Sequence, residues 1–206
     1  MGYGEVSLSW SGIFPFSFRR LSNSYSVQNA LLRESAASHT RFRFLKKGSI
    51  MLRIGIIGLG FMGKMHYDTY QNLPEIAKVA AICDVDAKKR AGDWSSIGGN
   101  LAMAGDAVDL TGVTMYESAD DLIRDPDVQV VDITLPTYRH CEYSLKALAA
   151  GKVTLCEKTM AGNGAEATKM VDAARAADRI LLIGQCIRFW PAYVKARELV
   201  NGGAYG

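Results

Sequence analysis

The sequence predicts an α/β fold, a doubly wound parallel sheet with helices on both faces. Three observations carry this. Strand-like apolar runs alternate with helical stretches from Met51 onward. A glycine turn, Gly58-Leu-Gly60-Phe61-Met62-Gly63, links the first such run to the first helix. The fourth run, Val128 to Thr134, is apolar almost throughout, as a strand covered on both faces is. Such alternation implies parallel pairing through right-handed crossovers, and six strands complete the fold.

The elements follow in order. Met51-Leu-Arg-Ile-Gly-Ile-Ile57 is the first strand, and Met62 to Asn72 is a helix stopped by Pro74. Lys78 to Cys83 is the second strand, ending on Asp84. A helix begins at Asp86 and gives way to an irregular Gly/Ala/Asp stretch between Gly98 and Gly112. Val113 to Tyr116 is a short third strand. Ser118-Ala-Asp-Asp121 resembles a capping box opening a brief helix. Asp125-Pro126-Asp127 turns the chain into strand four. Tyr138 to Ala150 is a helix with Cys141, Ser144, Leu145 and Leu148 as its inner stripe, closed by Gly151. Val153 to Cys156 is strand five. Asn163 caps a long helix to Asp178, with Ala167, Met170, Val171 and Ala174 facing inward. Ile180 to Ile183 is strand six, and Pro191 to Asn201 is the last helix, with proline near its start.

Charge divides the chain. Residues 1–50 hold seven Lys/Arg and two acids, whereas 51–206 hold 17 Lys/Arg and 19 acids. The part with strand–helix alternation is therefore not basic, and nucleic acid is not an expected partner. The first fifty residues are rich in Ser and Arg and lack periodicity. They read as a leader outside the fold: a mis-assigned start ahead of Met51, an organelle transit segment, or a signal peptide. Arg19-Arg20 lacks the apolar stretch that export requires. No apolar run reaches the ~18 residues of a membrane span. Cys83, Cys141, Cys156 and Cys186 form no C-x-x-C pair and read as reduced core residues, which points to the cytoplasm. Together with three scattered histidines they give no metal-ligand spacing.

The glycine turn carries the first chemistry. In a strand–turn–helix, the first glycine permits the sharp turn, the second lets backbone approach a pyrophosphate, and the third lets helix and strand pack. The helix start offers N–H groups and partial positive charge to phosphates. Asp84, about 20 residues beyond the last glycine, is placed to accept from an adenosine ribose. NAD is the expected cofactor, because a 2′-phosphate would bring like charge to Asp84, with NADP as the alternative. Lys88-Lys89-Arg90 either reaches such a phosphate or forms a solvated helix face.

The second constellation lies at the ends of strands four and five. Ligands gather at the carboxyl edge of an open parallel sheet. Pro136 to His140 and Glu157-Lys158 both fall there. A lysine so placed either contacts a substrate hydroxyl and steers its proton or is a solvated surface residue, and Glu157 can hold its position. His66, on the first helix, reads as a packed helix residue. His140 reads as a cleft residue, and Arg188 as near the cleft or paired with a surface acid.

These residues carry a resemblance. The glycine turn with His66 three residues on, Cys83-Asp84-Val85-Asp86, Pro136-x-x-x-His140 and Ala150-Gly151-Lys152-x-x-x-Cys156-Glu157-Lys158 resemble the Gfo/Idh/MocA family. It covers residues 51–206. The resemblance implies a Rossmann fold and NAD(P)-dependent hydride transfer at a hydroxyl-bearing carbon, usually of a sugar or cyclitol. It implies that Lys158 is the active-site lysine, that Gly58, Gly60, Phe61, Met62 and Gly63 form the pyrophosphate turn, and that Asp84 contacts the ribose. It further implies that Leu135, Pro136 and His140 line the cofactor cleft, beside Glu157. The chain departs from the family pattern at Thr159, where proline is usual, and at Leu135-Pro136-Thr137, where Thr-Pro-Asn is usual.

The family also implies a C-terminal α/β domain with an open-faced sheet that holds substrate. On that expectation Gly202 to Gly206 is the junction into it, and 51–206 is the cofactor-binding half of a longer, homo-oligomeric protein. A catalytically inactive dinucleotide-binding regulator or scaffold is the alternative function.

Overall fold

The computed structural model describes residues 51–98 and 107–203. The fold is that of the unit Ser49–Gly206. The expectations for residues 1–50, and much of that for the irregular stretch between Gly98 and Gly112, lie outside the described residues.

Six strands form one sheet: β1 (Leu52–Ile57), β2 (Ala77–Cys83), β3 (Thr114–Tyr116), β4 (Val130–Ile133), β5 (Val153–Cys156) and β6 (Leu181–Ile183). Their order is β3-β2-β1-β4-β5-β6, and every pairing is parallel. The helices between them are α1 (Phe61–Gln71), α2 (Ala87–Arg90), α3 (Ala119–Arg124), α4 (His140–Ala149) and α5 (Gly164–Ala177), and α6 (Pro191–Asn201) follows β6. The predicted doubly wound architecture is observed, with the reversal of strand order between β1 and β4 where such folds open a crevice.

The register brings the strand ends into line. Ile57 pairs with Cys83 and Ile133, Cys83 with Tyr116, Ile133 with Cys156, and Cys156 with Ile183. The strands therefore end level with one another. Asp84, Gly58, Thr134, Glu157 and Gly184 follow those ends as one row along the carboxyl edge.

Both faces are covered. Ile57, Val131, Ile133 and Cys156 pack with Leu122, Ile123, Ala147 and Met170 on the α3, α4 and α5 side. Ile54, Ile56, Ile82 and Val130 pack with Leu59, Tyr67, Trp94 and Ile97 on the α1 side. Successive strand residues point to opposite faces. Asp132, between Val131 and Ile133, thus points to the α1 side.

Local detail departs from expectation in four places. Strand four is shorter than predicted, starting at Val130: Val128 is a buried loop residue ahead of it, and Gln129, half-buried, leads into it with its backbone bonded to Arg53 and Val153. Ser118 occupies the N-cap of α3 but makes no side-chain cap bond. The buried stripe of α4 is His140, Tyr143, Ser144, Ala147 and Leu148, so Cys141 and Leu145 flank it. The His140 ring, bonded to loop carbonyls on both sides, helps to set the roll of this helix. Cys186, expected in the core, is exposed, while Cys83 and Cys156 are buried and all four cysteines are free. The Asn163 cap of α5 is as predicted, accepting from the Glu166 N–H at 2.9 Å. Among the described residues no helix is long and apolar enough to cross a membrane.

Candidate functional site

A cleft of about 420 Å³ opens at the carboxyl edge, at the reversal of strand order. Gly58, Gly60, Phe61 and Met62 line it from the glycine turn, Asp84 and Lys89 from beyond β2, and Thr134, Leu135 and Pro136 from beyond β4.

The turn is built as its glycines require. Gly58 has φ +96°, which a side chain would strain. A Cβ on Gly63 would sit 2.0 Å from the Gly58 carbonyl oxygen, so only glycine lets α1 approach the turn this closely. A Cβ on Gly60, which lines the cleft, would meet nothing within 4 Å, so open space adjoins the backbone there. Gly60 is the N-cap of α1, and no side chain caps that helix start. Thr134 closes the turn from β4, its hydroxyl donating to the Gly58 carbonyl at 2.6 Å.

Asp84 stands beside this turn. Its Oδ2 accepts from the Leu59 N–H at 2.7 Å and its Oδ1 from the Asp86 N–H at 2.9 Å. Lys89 Nζ lies 3.9 Å from Asp84 Oδ2. Arg90 donates to the Asp84 carbonyl and to the Glu117 carboxylate. The basic block therefore divides: Lys88 is exposed, Lys89 lines the cleft, and Arg90 braces the loop.

The strand-five end is anchored by Glu157. It is 6% exposed, whereas Lys158 beside it is exposed. The Lys158–Thr159 peptide bond is cis. Glu157 Oε2 accepts from the Lys158 backbone N–H at 3.1 Å, and Glu157 Oε1 lies 3.3 Å from His66 Nε2. His66 Nδ1 lies 2.9 Å from Asp132 Oδ2, which also accepts from the Tyr70 hydroxyl at 2.8 Å. Burial alone would lower the His66 imidazole, but hydrogen bonds and charge from Asp132 and Glu157 overcome it and push the group up to about 10. Burial would raise the Glu157 carboxyl, yet the His66 bond and charge, with the Lys158 amide and charge, hold it below the usual carboxylate range.

Three expected placements need correction. His140 does not line the cleft. It is 1% exposed, with Nε2 2.7 Å from the Leu135 carbonyl and Nδ1 2.7 Å from the Thr159 carbonyl, so it ties the β4 and β5 loops from beneath. His66 is not a passive packing residue, since it bridges two buried carboxylates. Arg188 is exposed in the 3-10 turn Cys186–Phe189 and does not line the cleft. Sequence reasoning passed over Asp132 and Thr134. A carboxylate inside the apolar run Val130-Val131-Asp132-Ile133 was the available signal, because such a group needs a buried partner.

The sequence model of an oxidoreductase family with an NAD-binding Rossmann fold, GFO_IDH_MocA, matches residues 52–185. The chain is similar to the inositol 2-dehydrogenase/D-chiro-inositol 3-dehydrogenase of Lactiplantibacillus plantarum. The two are 31% identical over 155 residues, which is 75% of this chain and 41% of that protein. It is similar to the levoglucosan dehydrogenase of Pseudarthrobacter phenanthrenivorans, 33% identical over 158 residues, 75% of this chain and 38% of that protein. An NAD binding oxidoreductase from Klebsiella pneumoniae, solved as a crystal structure, matches with a TM-score of 0.60 and 32% identity, over 76% of this chain and 40% of that one. The chain spans about 40% of the length of the relatives it matches.

Proposed function

The chain belongs to the Gfo/Idh/MocA family of oxidoreductases. On that premise we propose that it binds NAD across the glycine turn and forms the cofactor-holding half of a dehydrogenase. The reaction proposed is hydride transfer at a hydroxyl-bearing carbon of a sugar or cyclitol.

The observation that carries this reading is the level row of strand ends. It puts the uncapped start of α1, the Asp84 carboxylate and the Lys158 loop on one edge of the sheet. The residues fit a dinucleotide: a Cβ at Gly60 would fill the space in front of the helix start, where a pyrophosphate would be cradled. Bound NAD would supply the hydride acceptor or donor. The N–H groups at the start of α1 would hold the phosphates. Asp84 would accept from ribose hydroxyls with the lone pairs its two backbone bonds leave free. Leu135 and Pro136 would wall the cleft against water. Lys158 would hold the substrate hydroxyl and take or return its proton at Nζ. The similarity to inositol and levoglucosan dehydrogenases supports a polyhydroxylated substrate.

Calorimetric titration of the 206-residue chain with NAD tests the binding step. Saturable one-to-one binding that Gly60→Leu abolishes is the expected result, since the leucine would occupy the cleft. Absence of binding by the unsubstituted chain would overturn the reading.

A further inference from the structure

We infer that His66 is the positioning residue of the Lys158 loop. Its ring, held between Asp132 and Glu157, fixes the Glu157 carboxylate so that Oε2 caps the Lys158 backbone amide. The inference rests on the proposed function only in that the latter gives the Lys158 loop a purpose.

The geometry is a continuous chain of contacts from the interior to the edge. Asp132 projects from the central strand β4 onto the α1 side, and its side chain is fully buried. Its Oδ2 meets His66 Nδ1 and the Tyr70 hydroxyl. Its Oδ1 has no hydrogen-bond partner among the described residues. Such a carboxylate is costly to bury, and replacing a buried ion pair by apolar side chains is often neutral or stabilising. A gain in position accounts for it: Asp132 anchors one ring nitrogen, so the other can point only along the line to Glu157 Oε1. The Glu157 backbone N–H donates to the Ile133 carbonyl, extending the ladder. Its side chain turns back to the Lys158 N–H.

A second feature is shaped around that carboxylate. A Cβ at Gly184, just past β6, would lie 2.8 Å from Glu157 Oε1. Glycine there leaves room for the carboxylate to sit between β6 and α1. The glycine-turn helix and the Lys158 loop are thus joined through one imidazole.

The two ring nitrogens can be separated by substitution. A glutamine at 66 places a donor near the position of Nε2 and keeps the Glu157 contact. An asparagine reaches only as far as Nδ1 and keeps the Asp132 contact. The readout is amide hydrogen exchange at Lys158 in the 206-residue chain, with Ile56 and Val131 in the sheet ladder as references and the melting temperature taken on the same samples. His66→Asn should speed Lys158 exchange about tenfold relative to the references, a change of the size expected when one hydrogen bond is lost. His66→Gln should stay within about threefold of the unsubstituted chain for the same reason. A purely structural role predicts the reverse order, because Asp132 is the more buried partner and asparagine preserves its contact. Equal exchange in both variants, or exchange that simply follows the melting temperature, would overturn the inference. His66→Ala is not needed, so a failure of that variant to fold leaves the test intact. NAD titration on the same samples reads the proposed function separately: an unsubstituted chain that binds no NAD, yet shows the Asn/Gln order, retires that function and upholds the positioning role.

Discussion

The Asp84 carboxylate accepts from the Leu59 N–H at 2.7 Å, so the acid at the end of β2 holds the glycine turn as well as facing the cleft. The two residues are 25 positions apart, and the contact exists because β1 and β2 end level. Asp84→Ala should therefore act twice. It should lower the melting temperature and weaken NAD binding about 10- to 100-fold, the range for losing hydrogen bonds to a charged group. Asp84→Asn should recover part of the stability and little of the affinity. Unchanged NAD affinity in the alanine variant would remove Asp84 from the ribose site.

Lys89 should set how strongly the cleft prefers NAD over NADP. Its ammonium lies 3.9 Å from Asp84 and lines the same cleft, so it partly neutralises the carboxylate that would repel a 2′-phosphate. NAD should bind more tightly than NADP to the unsubstituted chain. Lys89→Ala should weaken NADP about tenfold and NAD much less, in line with losing one charge-assisted contact. Titration with both cofactors checks this, and an equal effect on the two would show that Lys89 does not reach the phosphate.

Gly63 should tolerate no side chain. The added methyl of Gly63→Ala would overlap the Gly58 carbonyl oxygen at 2.0 Å and press Thr134 Oγ1 at 3.0 Å. Backbone must shift, at a cost of about 1–3 kcal/mol or more. Thermal melting should register that loss, with NAD binding lost alongside. A variant that melts normally and still binds NAD would show that the helix and turn are less closely packed than described.

Lys158 should matter for turnover and not for folding. It is exposed, at the end of β5. In a dehydrogenase that contains this chain, Lys158→Ala should reduce kcat/KM on a responsive sugar or cyclitol by about 10²- to 10⁴-fold, the usual scale of a positioned acid–base group. The melting temperature should stay the same. Retained activity would make Lys158 a surface residue, and NAD binding without turnover on any substrate would favour a regulatory dinucleotide-binding role.

The His66 cluster should give stability a characteristic pH dependence. The imidazole is raised from 6.5 to about 10 by Asp132 and Glu157 against the effect of burial, so the folded state holds its proton more tightly than the unfolded chain. That contribution is complete below about pH 6.5, declines as pH rises, and is gone above about 10. The lowered Glu157 carboxyl works oppositely, adding stability above 4.5 that is lost as pH falls. Tyr70 on α1, Cys156 at the end of β5 and Lys158 are further titratable groups beside the cluster. The difference in melting temperature between the unsubstituted chain and His66→Asn should be widest near about pH 6 and should shrink toward about pH 10. A difference that stays constant over that interval would mean that His66 is not charged in the fold.

The sequence by itself determined the order and kind of the elements, the glycine turn and the acid that follows β2. These are local properties. Strand runs, helical stripes and the Gly58–Gly63 spacing are written within a few residues of one another, and parallel topology follows from their alternation. The Asn163 cap was legible for the same reason, since donor and acceptor are three residues apart. What only the tertiary structure decided are the pairings across the sheet. His66 and Asp132 are 66 positions apart, and Thr134 and Gly58 are 76 apart. His140 looked like a cleft residue on its place in the sequence, yet the roll of α4 turned its ring under the loops. Lys89 is only five residues from Asp84, and whether it faced solvent or the cleft depended on how α2 rolls against the end of β2. Periodicity states which residues are apolar and which strand they join. Which polar side chains meet depends on register and helix roll, and the packing of the whole sheet sets both.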